Sequence, residues 1–140
     1  MKEIVLFYSY SGHTKKAAEN FAQENSFEIC EIFDIKRPGK LSAFTAGCFK
    51  ALKGSGRKIR PLTINNNDVK FGDYEIINIF APIWAGHPAP SVNSAIKLIP
   101  SGMKVKLFMV SQSGNSSKDN ISKRVEGLGL EIVGYEDIKS

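Results

Sequence analysis

A chain of 140 residues fits one compact domain and is long enough to bury a core of its own. With 42% apolar and 24% charged residues it is not disordered, and its longest apolar runs, residues 4–8 and 79–85, are far too short to cross a bilayer. The net charge of +5 is local: Lys36, Arg37, Lys40, Lys50, Lys53, Arg57, Lys58 and Arg60 put eight cations between residues 36 and 60 with no acid among them, which leaves the rest mildly acidic.

The chain opens with Met1-Lys2-Glu3 and runs straight into Ile4-Val5-Leu6-Phe7-Tyr8. An acid at position 3 and the lack of a small-residue cleavage site do not fit a secretory signal. The apolar run itself reads as a strand buried on both faces. A helix follows, with Ala17, Ala18, Phe21 and Ala22 on one side and Lys15, Lys16, Glu19 and Gln23 on the other. Residues 27–33 read as another strand. Glu28 and Glu31 interrupt it, which places it at a sheet edge. Over residues 34–72 the pattern is weakest. Leu41, Phe44, Cys48 and Leu52 fall at about one helical turn and predict a helix that Gly54-Ser55-Gly56 stops, before a polar connection through Asn65-Asn66-Asn67. Residues 75–83 are the next strongly buried strand. Val92, Ala95, Ile96 and Ile99 predict a short helix, and residues 105–110 a third buried strand. Ile121, Val125 and Leu128 mark a helix after Ser116 and Ser117, which suit N-cap positions. Residues 131–138, with Glu131, Glu136 and Asp137, form the last strand.

The order βαβαβαβαβ calls for a parallel sheet with right-handed crossovers, in one domain over residues 1–140. The two acid-bearing strands belong at its edges, which gives the spatial order 2-1-3-4-5. Cys30 and Cys48 show neither metal nor redox spacing. A cytoplasmic protein without a membrane partner is expected.

Ligands of such sheets bind beyond the carboxyl ends of the strands, where the order reverses. Three segments lie there. Ser9-Tyr10-Ser11-Gly12-His13-Thr14 can aim hydroxyls and backbone N–H groups at an anion, with Gly12 making the turn, or can simply cap the helix. Ala81-Pro82-Ile83-Trp84-Ala85-Gly86-His87-Pro88-Ala89-Pro90 is stiffened by three prolines and carries the single Trp, either to stack on a flat ring or to pack over the core. Ser111-Gln112-Ser113-Gly114-Asn115-Ser116-Ser117 can offer polar groups to a heteroaromatic edge, or is a solvated loop leading to a helix cap.

Together, and in this order, the three segments resemble the flavodoxin family over nearly the whole chain. The Ser9–Thr14 segment fits the family's phosphate signature of hydroxyl, any residue, hydroxyl, Gly, any residue, Thr or Asn. The Trp84 segment is similar to the family's loop against the isoalloxazine ring. The resemblance implies a flavodoxin-like three-layer α/β sandwich with a five-stranded parallel sheet, and flavin mononucleotide (FMN) as cofactor. It implies that Ser9, Ser11, Gly12, His13 and Thr14 hold the phosphate. Pro82, Ile83, Trp84, Ala85 and Gly86 would lie along the ring, and Ser111, Gln112, Ser113, Gly114 and Asn115 along its pyrimidine edge. It also implies redox chemistry at the flavin, with a partner protein or NAD(P)H as the other party, and no catalytic side chain.

Two departures from the family shape further expectations. Its electron carriers are acidic, whereas this chain has a pI near 9.2 and His13, Lys15 and Lys16 beside the phosphate turn, so an anionic reduced flavin should be favoured. The family's fifth helix has no counterpart after residue 138, so part of the sheet face that carries the first helix is expected to lack cover and to offer a homodimer contact. The 36–60 cations could attract an acidic protein or the phosphates of NAD(P)H, or form a solvated face.

Other chemistries fail on residues. There is no GxxxxGK[ST] loop, no GxGxxG after a strand, no acidic pocket of a response regulator and no Cys at the head of a phosphate loop. Nucleic-acid binding would rest on the basic cluster alone, with only Phe44 and Phe49 to stack. A non-enzymatic flavodoxin-fold module, binding an acidic partner through residues 36–60 with weak or no flavin, is the alternative.

Overall fold

A computed structural model describes residues 2–140. Strand β1 (Glu3–Phe7) leads through the hydroxyl-rich turn into α1 (His13–Asn25), and β2 (Glu28–Glu31) follows. A helical stretch comes next, made of α2 (Lys40–Ser42), a π-helical turn (Ala43–Gly47) and α3 (Cys48–Lys53). The small hairpin β3 (Thr63–Ile64) and β4 (Asn67–Asp68) precedes β5 (Ile76–Trp84), β6 (His87–Pro88) and α4 (Pro90–Ile96). Strand β7 (Lys104–Ser111), α5 (Lys118–Gly127) and β8 (Glu131–Lys139) complete the described residues.

The main sheet has the order β2-β1-β5-β7-β8, all parallel, with β6 folded back on β5. This is the expected 2-1-3-4-5. The two strands that carry acids take the edges, and β1, β5 and β7 are buried between them. Each inner strand divides its side chains between two cores, as the two-residue period of a strand requires. Ile4, Leu6, Ile77, Ile79, Val105, Leu107 and Met109 pack against Val92 and Ala95 of α4 and Ile121 and Val125 of α5. Val5, Phe7, Phe80, Phe108 and Val110 pack on the opposite face against Ala18 and Ala22 of α1. Burying each such branched or aromatic side chain contributes about 1.5–3 kcal/mol, so the continuous apolar runs are what fix the three central strands.

Under α1, Phe80 and Phe108 stack with ring centroids 4.3 Å apart, and Phe21 tilts across both. On the same face toward β8, Lys106, Gly134 and Glu136 stand in register with one another and with Phe108. Beside α1 this face thus carries the filled aromatic cluster, then Lys106 and Glu136, with Ile138 of β8 in register with Val110 and partly buried.

The stretch from residue 40 to 53 departs from expectation in a different way. It is helical, but Leu41 and Phe44 are 78% exposed, and Phe49 and Leu52 are exposed as well. The buried positions are Ala43, Gly47 and Ala51, spaced by four. Close approach explains the inversion. A Cβ placed on Gly47 would lie 2.8 Å from Cζ3 of Trp84, a contact that only glycine permits. The small residues face the sheet, and the large ones are left outside. The polar connection at residues 65–67 is also more ordered than its composition suggests. Asn65 and Asn66, at φ +51° and +64°, make the tight turn joining β3 to β4.

Candidate functional site

The register of the inner strands sets the site. Phe7 pairs with Phe80, and Pro82 with Val110, so the segments after β1, β5 and β7 leave the sheet side by side at its carboxyl edge.

After β1, Gly12 turns at φ +103°, a conformation costly for any residue with a Cβ, and the chain enters α1 at His13. Gly12 donates its N–H to Ser9 Oγ at 3.1 Å, which closes the turn and leaves the Ser9 hydroxyl proton free to be donated. No side chain caps α1, and the first intrahelical bond runs from Lys16 N–H to the Gly12 carbonyl. The N–H groups of the first turn thus have no partner among the described residues, and the positive end of the helix faces outward. Ser11 and His13 are exposed, Ser9 is half-buried and Thr14 is buried.

The Pro-rich segment is a hairpin rather than an open loop. Ile83 and Trp84 pair with Pro88 and His87 around a two-residue turn, Ala85 at φ +51° and Gly86 at φ +81°. An alanine in the left-handed region is strained, and two neighbours hold it there. The buried His87 donates from Nδ1 to the Ala85 carbonyl at 3.1 Å, and the Gly86 carbonyl accepts from Ser117 N–H at 2.8 Å. Trp84 is half-buried at the end of the core. Tyr10 meets it edge-on at 5.6 Å, Tyr8 at 6.4 Å, and Gly47 closes on its benzo edge. Its orientation is therefore fixed by contacts on several sides.

After β7, the Ser111 hydroxyl is occupied internally: it accepts from the N–H groups of Gly114 and Asn115 and donates to the Asn115 carbonyl. Ser113 Oγ also accepts from Asn115 N–H. Gln112 and Ser113 remain exposed. Ser117 occupies the N-cap position of α5 but makes no capping bond with its side chain, and Ser116 binds Asp137 and the Tyr135 hydroxyl instead. A cleft of about 610 Å³ brings Ile83 and Gly86 together with Ser111, Gln112, Ser113, Asn115, Ser116 and Ser117. Neither the phosphate turn nor Trp84 lines it. Ser9 instead lines a separate cleft of about 310 Å³ with Tyr8, Asp34, Arg37 and Arg60.

Of these, Arg37 and Arg60 stood out in sequence only as members of the basic run, and Asp34 not at all. Arg37 lies 4.4 Å over the Tyr10 ring and donates to the Tyr10 carbonyl, while the Tyr10 hydroxyl donates to Pro38 O. Asp34 accepts hydrogen bonds from the Tyr8 hydroxyl at 2.6 Å and from Ser91, with Arg57 Nε 3.8 Å away. Burial, and then the Asp34 carboxylate, push the Tyr8 phenol well above its usual range. This network ties the 34–60 segment to the ends of β1 and α4. Only the charge run marked the segment in sequence, and pairing across tens of residues has no local period to reveal it.

A five-stranded parallel sheet in this order, one helix on one face, the others opposite, and three segments at the switch point define a flavodoxin-like fold. The flavoprotein of Lactobacillus acidophilus whose structure contains FMN superposes with a TM-score of 0.76 at 24% identity, over 96% of this chain and 91% of that one. A flavoprotein from Bacteroides eggerthii superposes with a TM-score of 0.76 at 19% identity, covering 96% of this chain and 86% of that chain. Oxidised flavodoxin 1 from Bacillus cereus superposes with a TM-score of 0.51 at 19% identity, covering 100% and 86%. No protein-family model and no curated protein matches the sequence.

Proposed function

We propose that this chain binds FMN and works as a redox protein through it. The observation that carries the proposal is the uncapped start of α1, where a left-handed Gly12 and a hydroxyl-rich turn surround unpartnered N–H groups. Such a cradle suits a doubly charged phosphate ester: hydrogen bonds to a charged group are worth about 1.5–3 kcal/mol each, and the helix terminus adds up to about 2 kcal/mol when partly buried. FMN is the ligand of the Lactobacillus acidophilus flavoprotein, whose backbone this chain follows over nearly its full length.

In this reading Ser9, Ser11, Gly12, His13 and Thr14 hold the phosphate. Pro82, Ile83, Trp84, Ala85 and Gly86 flank the ring, and the segment from Ser111 to Asn115 meets its pyrimidine edge, mainly through Gln112, Ser113 and backbone groups, since Ser111 Oγ is already engaged. The bound flavin supplies the electron-transfer chemistry. The chain contributes a rigid seat: His87 and Ser117 hold the strained turn, and Tyr8 and Tyr10 hold the indole. Lys16 and Arg37 add positive charge beside the turn, while Lys15 lies 3.6 Å from Glu31, and the net positive potential favours the anionic reduced flavin.

Purified protein that is yellow and releases FMN on denaturation supports the proposal. A colourless protein that takes up no added FMN overturns it, and the fold would then serve as a binding module. NAD(P)H oxidation by the holoprotein would make it a reductase, and its absence a carrier between proteins. A midpoint potential as low as that of an acidic flavodoxin would remove the charge argument.

A further inference from the structure

From the exposed face of residues 40–53 we infer a docking site for an anionic lipid surface, one that does not depend on the flavin. Six of the nine exposed large apolar side chains among the described residues lie between positions 33 and 52: Phe33, Ile35, Leu41, Phe44, Phe49 and Leu52. Four of them, Leu41, Phe44, Phe49 and Leu52, stand on the helical stretch whose small residues are committed to the sheet. Side chains this apolar and this exposed on a short helix are what an interfacial helix inserts below lipid headgroups.

Charge selects the occupant. The same segment holds eight cations and no acid from residue 36 to 60, so a second copy of the chain would meet its own charge. An acidic surface is required. The cations also divide by type. Two of the three arginines are used inside the molecule, Arg37 on Tyr10 and Arg57 on Lys36 O near Asp34, while Arg60 is exposed. Lys36, Lys40, Lys50, Lys53 and Lys58 are exposed, and none has a carboxylate within ion-pair distance among the described residues. Protein interfaces enrich arginine, with its directional fork, and deplete lysine. A fluid sheet of anionic headgroups needs only mobile point charges around apolar side chains, and no complementary groove. Those are the features this face presents. The expectation of no membrane partner rested on the lack of a spanning segment and is replaced here: a peripheral contact needs none, and no helix of the described residues is long and apolar enough to be one.

The test is co-sedimentation of the full chain with vesicles of phosphatidylcholine containing about one-third phosphatidylglycerol, against pure phosphatidylcholine, at low and high salt. Two double variants are compared, F44S/F49S and K50E/K53E. All four positions are exposed, so both variants should keep the wild-type circular dichroism and melting temperature. The wild type should bind the anionic vesicles only, and less at high salt. Each lysine near the surface is worth roughly a fivefold change, so K50E/K53E should lose at least about twentyfold and F44S/F49S about tenfold or more. Removal of any FMN should leave binding unchanged, which separates this inference from the redox proposal. No binding to anionic vesicles at low salt, equal binding to neutral vesicles, or binding indifferent to F44S/F49S overturns it. The first of these results would turn the face toward an acidic protein.

Discussion

Replacing Asp34 with alanine tests how the 34–60 segment is tied to the ends of β1 and α4. The Asp34 side chain is 4% exposed and accepts two hydrogen bonds from hydroxyls that are themselves buried, Tyr8 and Ser91. Asp34→Ala leaves both hydroxyls without an acceptor, at about 1.5–3 kcal/mol for each bond to a charged group. One term acts against that loss, because the carboxylate no longer has to be desolvated. Losing the Arg57 contact at 3.8 Å, partly open to solvent, adds less than about 1 kcal/mol to it. A net loss of about 3 kcal/mol is expected, a large part of the 5–15 kcal/mol typical of a domain. Asp34→Asn keeps one acceptor and should cost about half as much. Trp84 is the single tryptophan and lies 6.4 Å from the Tyr8 ring, so its fluorescence reports urea unfolding directly. In a double-mutant cycle, Tyr8→Phe should cost much less in the Asp34→Ala background than in the wild type. A loss under about 1 kcal/mol for Asp34→Ala, or strict additivity with Tyr8→Phe, would refute the reasoning.

The remaining expectations address the site and the core. Gly12→Ala meets no neighbour within 4 Å but forces a Cβ into the left-handed region, at about 1–2 kcal/mol; FMN affinity, measured by fluorescence titration, should fall about tenfold or more while the fold persists. Gly47→Val drives a side chain into Trp84 and should cost about 1–3 kcal/mol with a shifted tryptophan emission, so an unchanged spectrum would argue against the close packing. Alkaline stability should fall in two steps. Burial pushes the Cys30 thiol up to about 11, whereas an unfolded thiol ionises near ~8.5, so its contribution of about 2–3 kcal/mol is present below that pH and lost as the pH climbs to 11. Burial, and then Glu28, push the Tyr74 phenol up to about 12, which extends the loss from about pH 10 upward. Urea unfolding as a function of pH measures both, and Cys30→Ala should remove the first.

The primary structure alone determined the sheet. Residues 4–8, 75–83 and 105–110 are apolar on both faces, and only the interior of a parallel sheet buries both, while Glu28, Glu31, Glu131 and Glu136 exclude their strands from it. The phosphate-like turn was legible for the same reason, because a hydroxyl–glycine cluster between a strand and a helix is a local pattern. Tertiary contact decided the rest. Nothing in the spacing of Leu41, Phe44, Cys48 and Leu52 says that Trp84 sits across from Gly47, and helical periodicity shows which residues share a face but not which face meets the sheet. Likewise the Ala85–Gly86 hairpin, the internal use of the Ser111 hydroxyl and the Tyr8–Asp34–Ser91 network depend on groups that become neighbours only after the chain has folded. Local pattern fixes what a segment is, and close packing fixes which way it turns.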